Sequence, residues 1–370
     1  MPTRTEAPMK MRFPLLASFL AIFAAGPVLA ADALRDQAKG LFEPIPQTAP
    51  QLPGDPTTPE KLKLGKMLYF DPRISESHEL SCSACHDLGM GGGDGRASST
   101  ARGWQLAGRK SQTVLNAVFN KSFYFDGRAS DLKDQVMRSV TAFPGAMQKT
   151  RGGPTIFNPA EPNAAKAHAV EFLKGVPGYV DAFKKAFPNE ANPIVYENVA
   201  RAIAVFETTL ITPDAPFDLW LKGDDAALSD DQKQGLKLFI DKGCAGCHNG
   251  VNIGGGSYAR FGVVHNPGPD IVPTDDSGRF AVTKNVADRY VFRVQGLRNV
   301  ELNAPYFHSS HTWDLKQAVT IMADAQLGVK LSDQEAGKIT DFLVSLTGRQ
   351  PEVVLPIMPP AVATTPRSQP

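Results

Sequence analysis

Two pentapeptides decide how this chain folds: CSACH, from Cys82 to His86, and CAGCH, from Cys244 to His248. Both have the form C-x-x-C-H, and together they use all four cysteines of the 370-residue chain. Two thiols three positions apart on a helical turn reach the two vinyl groups of one porphyrin, and the adjacent imidazole reaches its iron. That is why this spacing marks covalent attachment of c-type haem. A cysteine zinc site or a thioredoxin-like redox pair would account for the thiols but not for a histidine directly after each pair. The sequence therefore predicts two covalently bound haem c groups. Cys82 and Cys85 hold one and Cys244 and Cys247 the other, with His86 and His248 as iron ligands and no sulfur left for a disulfide.

Working outward, TPEKLKLGKMLYF from Thr58 opens with a capping Thr-Pro-Glu and carries apolar residues at helical spacing, so a helix delivers the chain to the first motif. LSDDQKQGLKLFIDKG does the same for the second. Further helices are expected over 111–119, 131–140, 164–173, 179–187, 195–210, 315–325 and 332–346. Five of the seven residues from Gly89 to Gly95 are glycine, which dictates a loop, and a second glycine-bearing loop, 250–262, follows CAGCH. The proline-punctuated TPDAPFDLWLKG marks a boundary near Thr212. His86 and His248 lie 162 positions apart, a domain's worth of chain. The expected fold class is mainly α, with two cytochrome c-like haem domains, residues 31–211 and 212–349. Residues 31–57 read as an extended arm, and 350–370, with six prolines, as an extended tail.

Lys plus Arg at 39 against Asp plus Glu at 38 leaves no basic block, which excludes a nucleic-acid footprint. Arg4, Lys10 and Arg12 precede an apolar run ending in small residues, so residues 1–30 read as a signal peptide cleaved between Ala30 and Ala31. No later run is long and apolar enough to span a bilayer. The expectation is a periplasmic protein with no membrane span after cleavage.

An iron that carries electrons usually has two protein ligands, and a His/Met pair raises its potential. Met322, in QAVTIMADAQLG, is the one methionine between CAGCH and Met358. From the residues alone it is either that second ligand or a core side chain. The first motif has no such partner: His78, His168, Met90, Met137 and Met147 are undistinguished, so the first haem has an open face or an unidentified cap.

Between Leu64 and Gly348 the chain resembles the bacterial di-haem cytochrome c peroxidases, through LGKMLYFDPRIS, CSACHDLG, GWQ, TVLNAVFN, DGRASDLKDQ, TPDAPFDLWLKGDDAALS, DKGCAGCHNGVNIGG, LRNVELNAPYFHSS and IMADAQLG. The resemblance implies a peroxidatic N-terminal haem and an electron-transfer C-terminal haem ligated by His248 and Met322. Relatives that oxidise a partner protein place a tyrosine at the Met322 position. It further implies a small electron donor (a cytochrome c or a blue copper protein), hydrogen peroxide as substrate, a homodimer, and a tail packed on the N-terminal domain.

Several positions depart from the pattern. Arg102 stands where the family caps the peroxidatic haem with histidine, Phe125 where a tryptophan bridges the haems, Ala146 where an acid assists O–O cleavage, and Lys110 where an asparagine binds calcium between the domains. Gln135 matches. Arginine has no lone pair for iron, so Arg102 either polarises bound peroxide together with Gln135 or pairs with a haem propionate. Loss of the acid removes a proton-transfer contribution of roughly 10²–10⁴-fold. Two readings follow: a peroxidase, or a di-haem electron carrier or ligand sensor that has lost peroxidase activity. Calcium is doubtful in either, because an ammonium repels it.

Overall fold

The computed structural model describes residues 1, 3, 26–75, 77–99, 106, 108–139 and 162–367, with 26–31 and 162–165 described by backbone alone. In chain order the helices are α1 (Gly26–Lys39), α2 (Pro59–Phe70), α3 (Cys82–Cys85), α4 (Leu132–Ser139), α5 (Pro162–Lys174), α6 (Pro177–Ala186), α7 (Tyr196–Thr208), α8 (Pro216–Leu221), α9 (Asp230–Asp241), α10 (Phe280–Thr283), α11 (Leu315–Leu327) and α12 (Asp333–Val344). Strands β1 (Tyr258–Arg260) and β2 (Val291–Arg293) pair antiparallel. The mainly α expectation holds.

Helix starts follow local chemistry. The Thr58 hydroxyl accepts from the backbone N–H of Lys61, with Pro59 in the first turn of α2. Ser229 with Gln232 and Ser332 with Glu335 close reciprocal capping boxes on α9 and α12.

There are two main cores. One gathers Leu64, Leu68 and Tyr69 of α2 with Phe172, Phe183, Ile203 and Phe206. The other gathers Phe217, Trp220, Leu236, Phe239 and Phe342. Each is organised round one helix crossing, α2 on α7 and α9 on α12, and the crossings repeat one design. A Cβ on Gly65 would lie 1.9 Å from the Ala202 carbonyl oxygen, and one on Gly235 would lie 1.9 Å from the Lys338 carbonyl oxygen. In both, an aromatic Cβ follows at 3.0 Å, that of Phe206 or Phe342. Four residues beyond each glycine, Tyr69 or Phe239 packs obliquely on that same ring, with centroids 5.2 and 5.3 Å apart. Only a residue without a side chain lets the backbones approach so closely. Gly235→Ala is accordingly expected to destabilise the protein by about 3 kcal/mol, since the added methyl meets main chain that cannot rotate aside. Chemical denaturation checks this, and an unchanged midpoint would mean that the crossing relaxes.

Three sequence expectations need correction or completion. The segment 111–119 is not a helix: only Ala117–Phe119 makes a 3-10 turn, after Asn116 at φ 58°. Its backbone is recruited elsewhere, with the Val114 N–H bonding the Gly92 carbonyl and the Asn116 N–H that of Leu210. The arm 31–57 is not wholly extended, because α1 reaches Lys39. Its prolines begin only at Pro44, and before them Leu34, Ala38, Leu41 and Phe42 recur at helical spacing and pack on the C-terminal core. The expected cleavage point and part of the signal segment lie within or before α1, and residues 4–25 are outside the described residues.

The tail from Pro351 to Val362 has no regular secondary structure. Val353 and Met358 pack against the N-terminal core, and the Pro359 carbonyl accepts from Arg73 at 2.9 Å. No described helix is long and apolar enough to cross a membrane.

Candidate cofactor sites and the joint between them

CSACH forms the single turn α3, and His86 follows as its cap, with its N–H bonded to the Cys82 carbonyl. CAGCH repeats this as a 3-10 turn, with the His248 N–H on the Cys244 carbonyl at 3.0 Å. All four thiols are free of disulfide bonds, and burial pushes the Cys85 and Cys244 thiols up to about 11.

The two imidazoles are held alike. His86 Nδ1 lies 2.8 Å from the Gln112 carbonyl and His248 Nδ1 3.3 Å from the Ile253 carbonyl. A carbonyl only accepts, so Nδ1 carries the proton and Nε2 keeps its lone pair. Burial lowers both pKa values, partly offset by those carbonyls, which favours the neutral ring. A neutral imidazole with its orientation fixed from behind is the form an iron ligand takes.

In the C-terminal half Cys244, Cys247, His248 and Met322 line one apolar cavity of about 280 Å³. Met322 projects from α11, whose neighbours Ala318 and Ala323 are buried. Burial pulls the Arg293 guanidinium down to about 10; it lines the same cavity, and its Nη1 has no partner. The sequence reading missed this residue. A buried cation with an idle donor facing a cavity fits a group that brings its own carboxylate, as a porphyrin propionate does. Histidine, paired thiols, thioether and guanidinium together suit haem c.

The cavity continues to the joint between the halves, where Phe125 and Lys110 line it. Phe125 is buried, meets His308 edge-on at 6.4 Å, and accepts at its carbonyl from the Arg293 N–H at 2.8 Å. Its turn is clamped on both sides. Arg109 bonds Asp276 through Nε at 2.8 Å and Asp126 through Nη1 at 3.1 Å, while Arg128 bonds Asp126 at 2.8 Å. Gly127, at φ 67°, lies where a Cβ would fall 2.0 Å from the Tyr258 hydroxyl.

A second repeat, also missed from the sequence, closes the joint. Gln112 Nε2 donates to Gln295 Oε1 at 2.5 Å. Four residues beyond each glutamine, Asn116 and Asn299 are fully buried at φ 58° and 56°, and both donate to the Thr212 hydroxyl, at 2.7 and 2.9 Å. Hydrogen bonds therefore run from His86 through Gln112 to Gln295, and the Gln295 backbone also acts on His248.

Gln135 lies on α4, where its Nε2 donates to Ser139 at 2.6 Å and its carbonyl accepts from the Tyr124 hydroxyl at 3.1 Å. That ties it to the turn carrying Phe125. Arg102 and Ala146 fall outside the described residues. Lys110 Nζ donates to the Asn303 and Pro305 carbonyls at 2.5 and 2.6 Å.

The chain matches the family model described as di-haem cytochrome c peroxidase over residues 59–226 and the cytochrome c model over 232–347. It is 49% identical over 352 residues to cytochrome c551 peroxidase of Pseudomonas aeruginosa, covering 95% of this chain and 97% of that one. It is 42% identical to cytochrome c551 peroxidase of Nitrosomonas europaea, covering 85% and 88%. The methylamine utilization protein MauG of Methylorubrum extorquens is 32% identical, covering 85% and 86%. Among solved structures, a MauG-like protein associated with microbial copper homeostasis shares the fold at a TM-score of 0.69 and 23% identity, over 82% of this chain and 95% of that one.

Proposed function

The chain belongs to the di-haem cytochrome c peroxidase family, and from that premise we propose that it is a periplasmic enzyme reducing hydrogen peroxide to water with electrons from a small donor protein, a cytochrome c or a blue copper protein. In this reading residues 1–30 are the export signal, 31–211 the peroxidatic domain, 212–349 the electron-transfer domain and 350–370 the tail on the former, and the working form is a homodimer. Haem c at each centre supplies one-electron iron chemistry when bound.

The chain's own residues do the rest. Cys82, Cys85, Cys244 and Cys247 fix the groups. His86 and His248, each anchored at Nδ1, present Nε2 to iron, and Met322 presents its thioether at the second centre. Phe125 packs in the joint between the centres. Phenylalanine is harder to oxidise than tryptophan, so transfer through it is direct rather than stepwise. Arg102 offers a charged donor to the peroxide oxygen that leaves, with Gln135 beside it by family position. Each turnover takes two electrons and two protons per peroxide and yields two waters.

The observation that carries this reading is the matched anchoring of His86 and His248 at Nδ1, on the Gln112 and Ile253 carbonyls, with the Gln112 side chain bonded to Gln295 across the joint. Two equivalently prepared iron ligands on either side of one joint suit a two-centre electron path. The alternative, a carrier or sensor without turnover, draws on the arginine, phenylalanine and alanine at the three altered positions. Stopped-flow mixing with peroxide and reduced donor separates the two: donor oxidation is expected to continue for many equivalents per enzyme. Oxidation that halts after the stored electrons are spent would leave the carrier reading standing.

A further inference from the structure

The family to which the chain belongs implies a calcium ion between the two haem domains, and the residues here do not fit that ion. The site its ligands would frame is taken by a side chain. Lys110 Nζ sits 2.5 Å from the Asn303 carbonyl oxygen and 2.6 Å from that of Pro305. Those are the separations at which calcium holds oxygen, about 2.3–2.6 Å.

The two carbonyls belong to the C-terminal half and the lysine to the N-terminal half. Asn303 is itself held, its Nδ2 donating to the Asn299 carbonyl at 2.7 Å, and Asn299 is one of the buried asparagines that meet at Thr212. Asn303 is therefore tied into the joint, and its carbonyl faces a cation that cannot diffuse away. We propose that the Lys110 ammonium fills a cation site formed by the Asn303 and Pro305 carbonyls, and so makes the joint between the two halves independent of calcium.

The chemistry of the position supports this. An ammonium donates up to three hydrogen bonds and carries one positive charge, enough to satisfy two neighbouring carbonyls that would otherwise repel each other. Burial pulls the Lys110 pKa down to about 8, and the field of Asp94 opposes that fall, so the charged form persists at neutral pH. No carboxylate contacts Nζ among the described residues; the ligands are the neutral oxygens of a cation cage. A shorter side chain ending in an amide oxygen would reopen the cage to a hydrated ion, with the two carbonyls, the amide and waters making up the shell.

Calcium binding and melting of the holoprotein read this out independently of peroxide turnover, so loss of the peroxidase reading leaves the test intact. In metal-free buffer the native protein is expected to show no calcium binding heat up to about 1 mM, and the same melting temperature with or without EGTA. Lys110→Asn is expected to melt about 5 °C lower in EGTA and to recover with calcium, half-saturating in the 10⁻⁴–10⁻³ M range typical of extracellular sites, roughly. Lys110→Met, which keeps most of the apolar stem and discards the charge, is expected to melt equally low and to gain nothing from calcium. The proposal is overturned by one equivalent of calcium bound to the native protein with a lower melting temperature in EGTA. It is equally overturned by Lys110→Asn failing to respond to calcium, or by Lys110→Met melting like the native protein.

Discussion

Replacing Met322 with alanine is expected to lower the reduction potential of the C-terminal haem by on the order of 0.1–0.2 V, because a thioether ligand stabilises ferrous over ferric iron and axial ligation is the strongest lever on haem potential. The expectation rests on placement: Met322 leaves α11 into the cavity that His248, Cys244 and Cys247 also line. Each 59 mV is a factor of ten for one electron, so a fall of 100 mV makes reduction by the donor about 50-fold less favourable. Donor oxidation should slow while covalent haem content stays unchanged. Spectroelectrochemical titration of the purified variant decides the matter; a potential equal to that of the native protein would show that another side chain ligates the iron.

What the sequence made legible follows from how local each constraint is. Attachment of haem c needs two thiols and an imidazole within five residues, so both centres are written contiguously. Helices α2, α9 and α12 carry their own caps and spacing, and could be placed within a few residues. The segment 111–119 failed for the opposite reason. Its apolar spacing suits a helix, but Gly92, Leu210 and His86 claim its backbone, and none of these is near in sequence. The repeats stayed hidden because their signals are small and differently spaced: Cys82 follows Gly65 by 17 residues, whereas Cys244 follows Gly235 by nine. The glutamine pair spans 183 residues, and a single glutamine opposite another leaves no local pattern. Lys110 is legible in the sequence as an altered position; that its ammonium reaches across to two carbonyls of the other half is set by the fold.

The second large effect concerns the clamp on the Phe125 turn. Arg109→Met removes the guanidinium that holds Asp276 and Asp126 together across the two halves, while roughly keeping the volume. Both carboxylates are buried, at 8% and 7% side-chain exposure, and Asp276 would be left with the Gly278 N–H at 3.0 Å and the field of His308. An uncompensated buried charge of this kind costs about 3 kcal/mol, or roughly 6–12 °C in melting temperature. The pH dependence distinguishes this from simple loss of packing. Burial alone would raise the Asp276 pKa, but Arg109, with smaller contributions from His308 and the Gly278 N–H, outweighs it and holds the group below its ordinary 3.8. A depressed carboxylate contributes its stability in full above the unfolded value and loses it as pH falls through the lower folded value. In the variant, burial is opposed only by the field of His308 and the Gly278 N–H, so the sign is expected to reverse and Asp276 to favour the folded state while protonated. The gap between native and variant should be widest at pH 6–7 and should shrink towards pH 3, a range set by the 3.8 reference and the direction of the shift. Melting curves across that range test it. A gap independent of pH would mean that Arg109 acts through packing against Phe125 and Phe292, whose rings lie 6.0 and 5.9 Å from its guanidinium carbon, and not through the charges it joins.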